Sequence, residues 1–231
     1  QKKERELASR FVVEGVRALQ SLVDGSALPH YKLLEIWCTD DLPFDIPDEM
    51  PVCQISAELM DQLSDCRTSQ GILGVVHVDP VPLDILPDRG NYLLLDRLMD
   101  PGNMGTLLRT ALWYGVEHIG LVKGSVGVFN PKVVQSSMGA LAHLTCVEKT
   151  AEEWVNWSAI NSRRLLVADM DGTPASEMNW SPEDVLVLGN EGQGCDDVFK
   201  SAGSKVTLPG NASKIESLNV AVSGATLLYA Y

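Results

Sequence analysis

The sequence lacks the features of membrane, secreted and zinc-scaffold proteins. No stretch of its 231 residues approaches the roughly 18 consecutive apolar residues of a membrane span, and the polar start QKKERELASR is unlike a signal peptide. Its five cysteines are an odd number without a C-x-x-C pair, which disfavours both a disulfide framework and a zinc site. We therefore expect a cytoplasmic protein with reduced thiols, no metal and no membrane partner.

Basic residues are also scarce. Only 18 Lys and Arg stand against 31 Asp and Glu, so the formal net charge is −13 and the sequence pI is about 4.6. Nucleic-acid binders usually gain much of their affinity by neutralising phosphates, so this balance disfavours tight non-specific binding. The excess of acidic residues is local, because the stretch from Asp40 to Asp65 holds eight acidic residues and no basic one. A basic contact elsewhere on the surface is still compatible with this average.

The rest of the composition is that of a globular protein. Hydrophobic residues make up 45% and charged residues 21%, and a chain of this length can bury a core without a disulfide or metal. Three prolines, Pro80, Pro82 and Pro87, lie between two apolar runs and favour an extended connector. We predict an N-terminal domain at residues 1–82, a linker at 83–90 and a second domain at 91–231.

Apolar runs alternate with helix-type patterns in both segments, which predicts an α/β fold. The first segment contains the predicted strands FVVEG, LLEIW and ILGVVHV and the predicted helices EGVRALQSLVDG and ISAELMDQLSD. The second contains the predicted strands YLLLD, HIGLV, RRLLVADM, DVLVLG and KVTLP and the predicted helices NMGTLLRTALWYG, PKVVQSSMGAL and SLNVAVSGATLLYAY. The second pattern indicates a mostly parallel sheet that is covered on both faces.

Three blocks follow predicted strands, where parallel sheets place their ligands. In LLLDRLMDPGNMGTLLRTALWYG, a plain structural interpretation makes Asn103 a helix cap and Arg109 a solvated side chain. LVLGNEGQG is a glycine-rich turn that could admit a ligand to the backbone or be a tight structural turn; it is neither a P-loop nor G-x-G-x-x-G. In the third block, LPGNASKIESLNVAVSGATLLYAY, core packing alone would explain the small helix residues.

Taken together, the blocks resemble the three motifs of the SpoU/TrmH family of RNA 2′-O-ribose methyltransferases, in the SPOUT superfamily. The matching residues are D-x-x-x-D-P-x-N-x-G-x-x-x-R-T-A (Asp96 to Ala111), L-G-N-E-G-x-G (Leu188 to Gly194) and E-S-L-N-V-A-V (Glu216 to Val222). The intervening SVGVFNPKVVQSSMGALAHL is also similar to a family segment, and the resemblance covers about residues 90–231. Residues 1–80 resemble more loosely the family's N-terminal substrate-recognition domain.

The resemblance implies a C-terminal α/β domain with a trefoil knot, an N-terminal domain that recognises RNA, and S-adenosyl-L-methionine as the cofactor. The cofactor-binding residues that it implies are Leu188, Gly189, Asn190, Gly192, Leu208, Leu218 and Asn219. The catalytic residues that it implies are Asn103, Arg109, Glu191, Ser217 and Asn219. Relatives often continue with a basic tail beyond the position of Tyr231, so any RNA contact made by such a tail is expected to be missing.

The chemistry constrains these roles. Methyl transfer from a sulfonium to a ribose hydroxyl is a direct displacement, so no metal is required, but the donor and acceptor must be aligned and the proton accepted. Arg109 is an awkward base, because the free pKa of arginine exceeds about 12. We expect it to bind a nucleotide phosphate and stabilise the developing alkoxide, and whether it also takes the proton stays open. We expect Glu191 to orient Arg109 or an amide.

The leading hypothesis is a 2′-O-methyltransferase of structured RNA, with ribosomal RNA favoured over transfer RNA by analogy alone. A transfer RNA 2′-O-methyltransferase is the nearest alternative. A non-catalytic RNA-binding or assembly factor is another, and the charge of −13 favours it. A nicotinamide-dependent oxidoreductase would need a G-x-G-x-x-G after the first strand, which the sequence lacks.

The closing helix also predicts a homodimer. Its small and large apolar residues cover most of its circumference, and a helix of that kind is buried on more than one side. One side can pack on the sheet, and the resemblance implies that a second subunit covers the other. A bulky charged residue in place of Gly224 is expected to dissociate or unfold the protein.

Overall fold

A computed structural model describes residues 8–66, 68–87, 89–211, 214–215 and 217–231. The strands are β1 (Arg10–Glu14), β2 (Tyr31–Cys38), β3 (Val52–Gln54), β4 (Ile72–Val78), β5 (Tyr92–Leu95), β6 (His118–Val122), β7 (Thr145–Lys149), β8 (Leu165–Pro174), β9 (Val185–Leu188) and β10 (Ser204–Thr207). The α-helices are α1 (Val16–Val23), α2 (Ala57–Leu63), α3 (Pro101–Trp113), α4 (Pro131–Ser137), α5 (Ala151–Ile160), α6 (Asp197–Ala202) and α7 (Val220–Ala230). No helix among these residues is long and apolar enough to cross a bilayer.

The first sheet lies in the N-terminal part of the chain, with the strand order β1-β4-β2-β3. Strands β1 and β2 both pair antiparallel with β4, and the short β3 pairs parallel with β2. Helix α1 covers this sheet closely, because a Cβ on Gly74 of β4 would lie 2.1 Å from the Leu19 side chain. Only glycine allows this approach of helix to strand.

The second sheet is parallel throughout, as the alternating pattern predicted, with the order β10-β8-β9-β5-β6-β7. Strands β5 and β9 at its centre are fully buried. Alternate residues of β5 face opposite cores: Leu93 and Leu95 pack with residues of α3, α4 and α7, while Tyr92 and Leu94 pack with residues of α5 and α6. Helices therefore cover both faces, which explains the continuous apolar runs.

The two sheets are joined by a shared core and by specific polar contacts. The Leu28 amide donates to the Ala142 carbonyl at 2.8 Å, and the Tyr31 hydroxyl donates to the Leu144 carbonyl at 3.0 Å. The Phe11 ring stacks on the Phe129 ring with their centroids 4.6 Å apart. The turn after α4 is thereby fixed against the N-terminal part of the chain.

The structure corrects the predicted extent of one helix and adds four elements. The predicted helix PKVVQSSMGAL stops at Ser137, because Met138 and Gly139 adopt positive φ angles of 53° and 89° and a 3-10 turn follows. Sequence reasoning missed β3, β7, α5 and α6. A signal for α5 was present: Thr150 and Glu153 form a capping box directly before it.

Candidate active site

A cavity near the sequence motifs lies at the carboxyl ends of the parallel strands. Its volume is about 430 Å³, and it is lined by residues from 168–170, 188–194, 206–208 and 217–227 together with Lys200. Strand β9, which carries the glycine-rich turn, is paired with both β5 and β8. The strand order changes direction here, and open parallel sheets place their ligands at such a point.

The cavity collects most of the residues proposed for the cofactor. Its lining includes Leu188, Gly189, Asn190, Gly192, Leu208 and Leu218. Asn219 lies outside the lining but next to it in the chain. Glu216, the first residue of the third motif, is outside the described residues.

Two charged residues that line the cavity, Asp169 and Lys200, were not predicted from the sequence. Burial tends to raise the pKa of Asp169, but a hydrogen bond from the Asp171 amide and the Lys205 ammonium, 3.2 Å away, outweigh it. The pKa of Asp169 is therefore below its ordinary value, and this carboxylate is ionised at neutral pH. The position of Asp169 after the buried start of β8 was the only sequence signal for it.

The glycine-rich turn is held closed by its own contacts. The side-chain oxygen of Asn190 accepts hydrogen bonds from the Gly192 amide at 2.9 Å and the Gln193 amide at 3.1 Å. The Asn190 side-chain amide donates to the Arg97 carbonyl at 2.9 Å. A Cβ on Gly189 would lie 2.2 Å from the Cys195 nitrogen, so loop closure alone requires glycine there. Asn190 therefore shapes the cavity with its side chain and can offer a ligand chiefly its backbone.

A buried carboxylate also fixes the chain next to the glycine-rich turn. Asp96 is fully buried and accepts hydrogen bonds from the Arg97 guanidinium at 2.8 and 3.0 Å and from the Asp196 amide at 2.7 Å. The hydrogen bond to Asp96 raises the pKa of Arg97 above its ordinary value. Asp96 thus links the end of β5 to the chain that follows the glycine-rich turn. This link gives a structural reason for an aspartate at the start of the first motif.

Three polar side chains from the three motifs meet beside the cavity. The Asn103 side-chain amide donates to Glu191 Oε1 at 2.7 Å, and the Asn219 side-chain amide donates to Asn103 Oδ1 at 3.0 Å. We call these three residues the polar triad. The side-chain oxygen of Asn219 also accepts hydrogen bonds from the first amides of α7. Glu191 therefore accepts a hydrogen bond from a side-chain amide, and its role in the reaction stays a prediction.

The plain interpretation of Asn103 as a helix cap is wrong. Asp100 caps α3, and its carboxylate accepts a hydrogen bond from the Asn103 backbone amide at 2.7 Å. Asn103 lies in the first turn of the helix, and its side chain is free to join the polar triad. Because Asp100 supplies the cap, the Asn103 side chain hydrogen-bonds with Glu191 and Asn219 instead.

The two other predicted catalytic residues are placed differently. Ser217 lines the cavity. Arg109 is exposed two turns further along α3 and lines a separate cavity. No hydrogen bond or ion pair joins Arg109 to the polar triad in the described part of the chain. Its role in the reaction stays a prediction.

The sequence matches known families along nearly its whole length. The SpoU rRNA Methylase family matches residues 90–229, and the MRM3-like substrate binding domain matches residues 1–74. The 23S rRNA (guanosine(2553)-2′-O)-methyltransferase RlmP of Bacillus subtilis (strain 168) is 30% identical over 99% of this chain and 90% of its own length. The 23S rRNA (adenosine(1067)-2′-O)-methyltransferase of Streptomyces azureus is 29% identical over 83% of this chain and 76% of its own length.

Solved structures have the same fold. A TrmH-family protein from Porphyromonas gingivalis superposes with a TM-score of 0.85 and 30% identity, covering 100% of this chain and 92% of that one. The SpoU methyltransferase AviRb from Streptomyces viridochromogenes, solved in complex with AdoMet, superposes with a TM-score of 0.87 and 22% identity, covering 100% of this chain and 92% of that one. Residues of the second and third motifs line one cavity, and Asn103 of the first motif is hydrogen-bonded to both of those motifs. With a family match over residues 90–229, the chain belongs to the SpoU rRNA methylase family.

Proposed function

We propose that this protein transfers a methyl group from S-adenosyl-L-methionine to a ribose 2′-hydroxyl of ribosomal RNA. The observation that carries the proposal is the polar triad, in which residues 88 and 116 positions apart in the chain are hydrogen-bonded at the edge of the cavity. Ribosomal RNA is favoured because the similar Bacillus and Streptomyces enzymes are named for it.

The cavity suits the proposed cofactor in size and in chemistry. Its volume of about 430 Å³ falls within the ~300–1,000 Å³ of small-molecule sites. Leu188, Leu208 and Leu218 offer apolar walls for an adenine ring, and Asp169 and Lys200 offer opposite charges for an amino-acid end. When bound, the cofactor supplies a methyl group on a sulfonium.

The polar triad would position the acceptor ribose. Asn103 and Asn219 lie between Glu191 and the start of α7, so their amides are fixed before the substrate binds. Such preorganised dipoles stabilise developing charge without reorganisation. Arg109 would bind the phosphate of the reacting nucleotide and stabilise its alkoxide, and Ser217, which lines the cavity, would contact the nucleotide.

The remaining parts of the hypothesis extend beyond the site. Residues 1–82 would recognise the RNA, residues 83–90 would link, and residues 91–231 would carry the methyltransferase. The C-terminal segment would form a trefoil knot; its support is that residues from 188–194, 206–208 and 217–227 line one cavity. A cytoplasmic location would follow from the reduced thiols.

A homodimer is also part of the proposal. Val222 and Tyr229 lie seven residues apart on one side of α7 and are 53% and 77% exposed. The Tyr229 ring meets the Tyr114 ring from α3 at 6.2 Å, so the apolar surface continues onto a second helix. Exposed apolar patches of this kind are typical of interfaces between proteins.

The proposed function is tested by methyl transfer in solution. Purified protein, labelled S-adenosyl-L-methionine and ribosomal RNA from a strain that lacks the gene should yield one 2′-O-methylated nucleotide, with no loss of rate or of cofactor binding when a chelator is added. Methylation of transfer RNA instead would replace the ribosomal substrate. Cofactor binding without methylation of any cellular RNA would favour an assembly factor and overturn the proposal.

A further inference from the structure

A second cavity lies between the N-terminal part of the chain and the methyltransferase part. Its volume is about 420 Å³. Its walls are α1, the C-terminal half of α3 and the turn after α4. Asn103 and Arg109 are six residues apart on α3, which places this cavity about 9 Å along the helix axis from the polar triad.

Two helices present side chains one turn apart to this cavity. Helix α1 contributes Arg17 and Ser21, and α3 contributes Arg109 and Trp113. Residues four positions apart lie on the same face of a helix, so each pair reaches the same space. The Trp113 side chain is 82% exposed, which is unusual for the largest apolar side chain.

The charge of the second cavity is opposite to that of the chain. Its described lining holds Arg17, Arg109 and His143 but no Asp or Glu, in a protein with a net charge of −13. Neither arginine forms an ion pair among the described residues. Two exposed guanidinium groups without a carboxylate are therefore available for an external anion, and arginine binds phosphate through a planar fork.

The cavity is formed before any ligand arrives. A Cβ on Gly139 would lie 3.4 Å from Ala18 of α1, and Leu28 donates a hydrogen bond to Ala142 in the same turn. Met138, which lines the cavity, has a φ of 53° and is 58% exposed. This left-handed residue ends α4, so the turn that forms this wall of the cavity has a defined backbone conformation.

We propose that this cavity binds the substrate nucleotide adjacent to the one that is methylated. Arg109 would hold the phosphate between the two nucleotides, Arg17 would hold the next phosphate, and the flanking base would stack on Trp113. The inference rests on the proposed function, since it adds a neighbouring position to the same RNA. It gives the N-terminal part of the chain a direct share in substrate recognition.

RNA fits these features better than a second copy of the chain does. Two phosphates match two arginines, whereas a two-fold interface at this cavity would bring the arginines of both copies together. Bases stack readily on exposed aromatic rings, and a stacked base leaves its edges free for further contacts.

The test measures RNA affinity as a function of salt, with ribosomal RNA from a strain that lacks the gene as the probe. Trp113→Ala should weaken binding about tenfold with an unchanged salt dependence, while Trp113→Phe should restore most of the affinity. Arg17→Ala should weaken binding and lower the slope of log K against log salt by about 1. Both variants should raise the KM for RNA, leave the kcat unchanged and keep wild-type cofactor affinity.

Two matched variants control the experiment. Ile160→Ala removes an apolar side chain that is 83% exposed on α5, and Arg89→Ala removes an exposed arginine that precedes β5. Neither residue lines the cavity, so both variants should bind RNA like the wild type.

Three results would overturn the inference while leaving the proposed function intact. The first is wild-type RNA affinity in Trp113→Ala and Arg17→Ala proteins that still methylate RNA. The second is an equal loss in Arg89→Ala, which would make the effect one of overall charge. The third is a lower molar mass of Trp113→Ala in light scattering, which would make this face a contact between copies. Failure of the wild-type protein to methylate any RNA would instead refute the proposed function.

Discussion

At the scale of single residues, Glu191 has two candidate roles, which are to orient the Asn103 amide through their hydrogen bond and to act as the general base. Substitutions of Glu191 distinguish the two. If Glu191 orients the amide, Glu191→Gln keeps an acceptor for Asn103 and should retain kcat to within about tenfold, whereas Glu191→Ala should lose more. A general base would accelerate the reaction about 100- to 10,000-fold, and glutamine cannot act as a base. Single-turnover rates at saturating RNA measure the difference. A loss above about 100-fold in Glu191→Gln, with the exposed control Glu183→Gln fully active, would make Glu191 the base.

Arg109 gives the second prediction at this scale. Arg109→Ala should lower kcat about 100- to 1,000-fold, because one donor that stabilises the developing alkoxide is removed. The residue is exposed and outside the cavity proposed for the cofactor, so thermal stability and cofactor affinity measured by calorimetry should not change. Arg109→Lys should recover little activity, since an ammonium cannot form a bidentate fork. An active alanine variant would remove Arg109 from the chemistry. Arg89→Ala, at an exposed position before β5, controls for charge.

At the scale of elements, the packing of α7 on α3 is decided by Gly224. A Cβ at this position would lie 2.4 Å from Leu107 and 2.7 Å from Leu188, both almost fully buried. Gly224→Ala gains about 1 kcal/mol of helix propensity but overpacks the core at a cost of about 1–3 kcal/mol. We therefore expect a net loss of up to about 2 kcal/mol in urea unfolding. Exposed Asn156→Ala on α5 should be neutral or slightly stabilising, and equal stability of both variants would contradict the packing.

Gly224 consequently cannot report on assembly. Gly224 faces the core of its own subunit. A bulky charged residue there would therefore unfold the protein whether or not a dimer exists. The residues suited to that purpose are on the opposite side of α7, where Val222 and Tyr229 are exposed. The structure thus moves the test of the dimer from Gly224 to Tyr229, five residues further along α7.

At the scale of the whole molecule, the dimer is tested through that outer side. The wild-type protein should have a molar mass of about 50 kDa in light scattering, twice the 25.1 kDa of the chain. Tyr229→Glu should shift it to about 25 kDa, because a specific interface of at least ~1,000 Å² does not tolerate an unpaired buried charge. Ile160→Glu, an equally exposed apolar position on α5, should stay dimeric. A monomeric wild-type protein at micromolar concentration would refute the homodimer.

The local order of the chain was readable from its sequence. Period-2 and period-3.6 apolar patterns predicted the central strands and the long helices, because these patterns record which faces are buried. The elements missed were short or half-exposed, such as β3 and α6, and their few residues carry too little periodicity. The three motifs identified the family because their residue types and spacing match those of the family's motifs.

Only the tertiary structure decided which motif residues act together. Asn103, Glu191 and Asn219 meet across 88 and 116 positions, and no local pattern encodes such a contact. The fold also placed Arg109 in a different cavity beside Arg17, although its motif runs continuously from Asn103. The reason is geometric: a helix turns about 100° per residue, so neighbours in a motif face different surfaces, and the packing of other elements decides what each one meets.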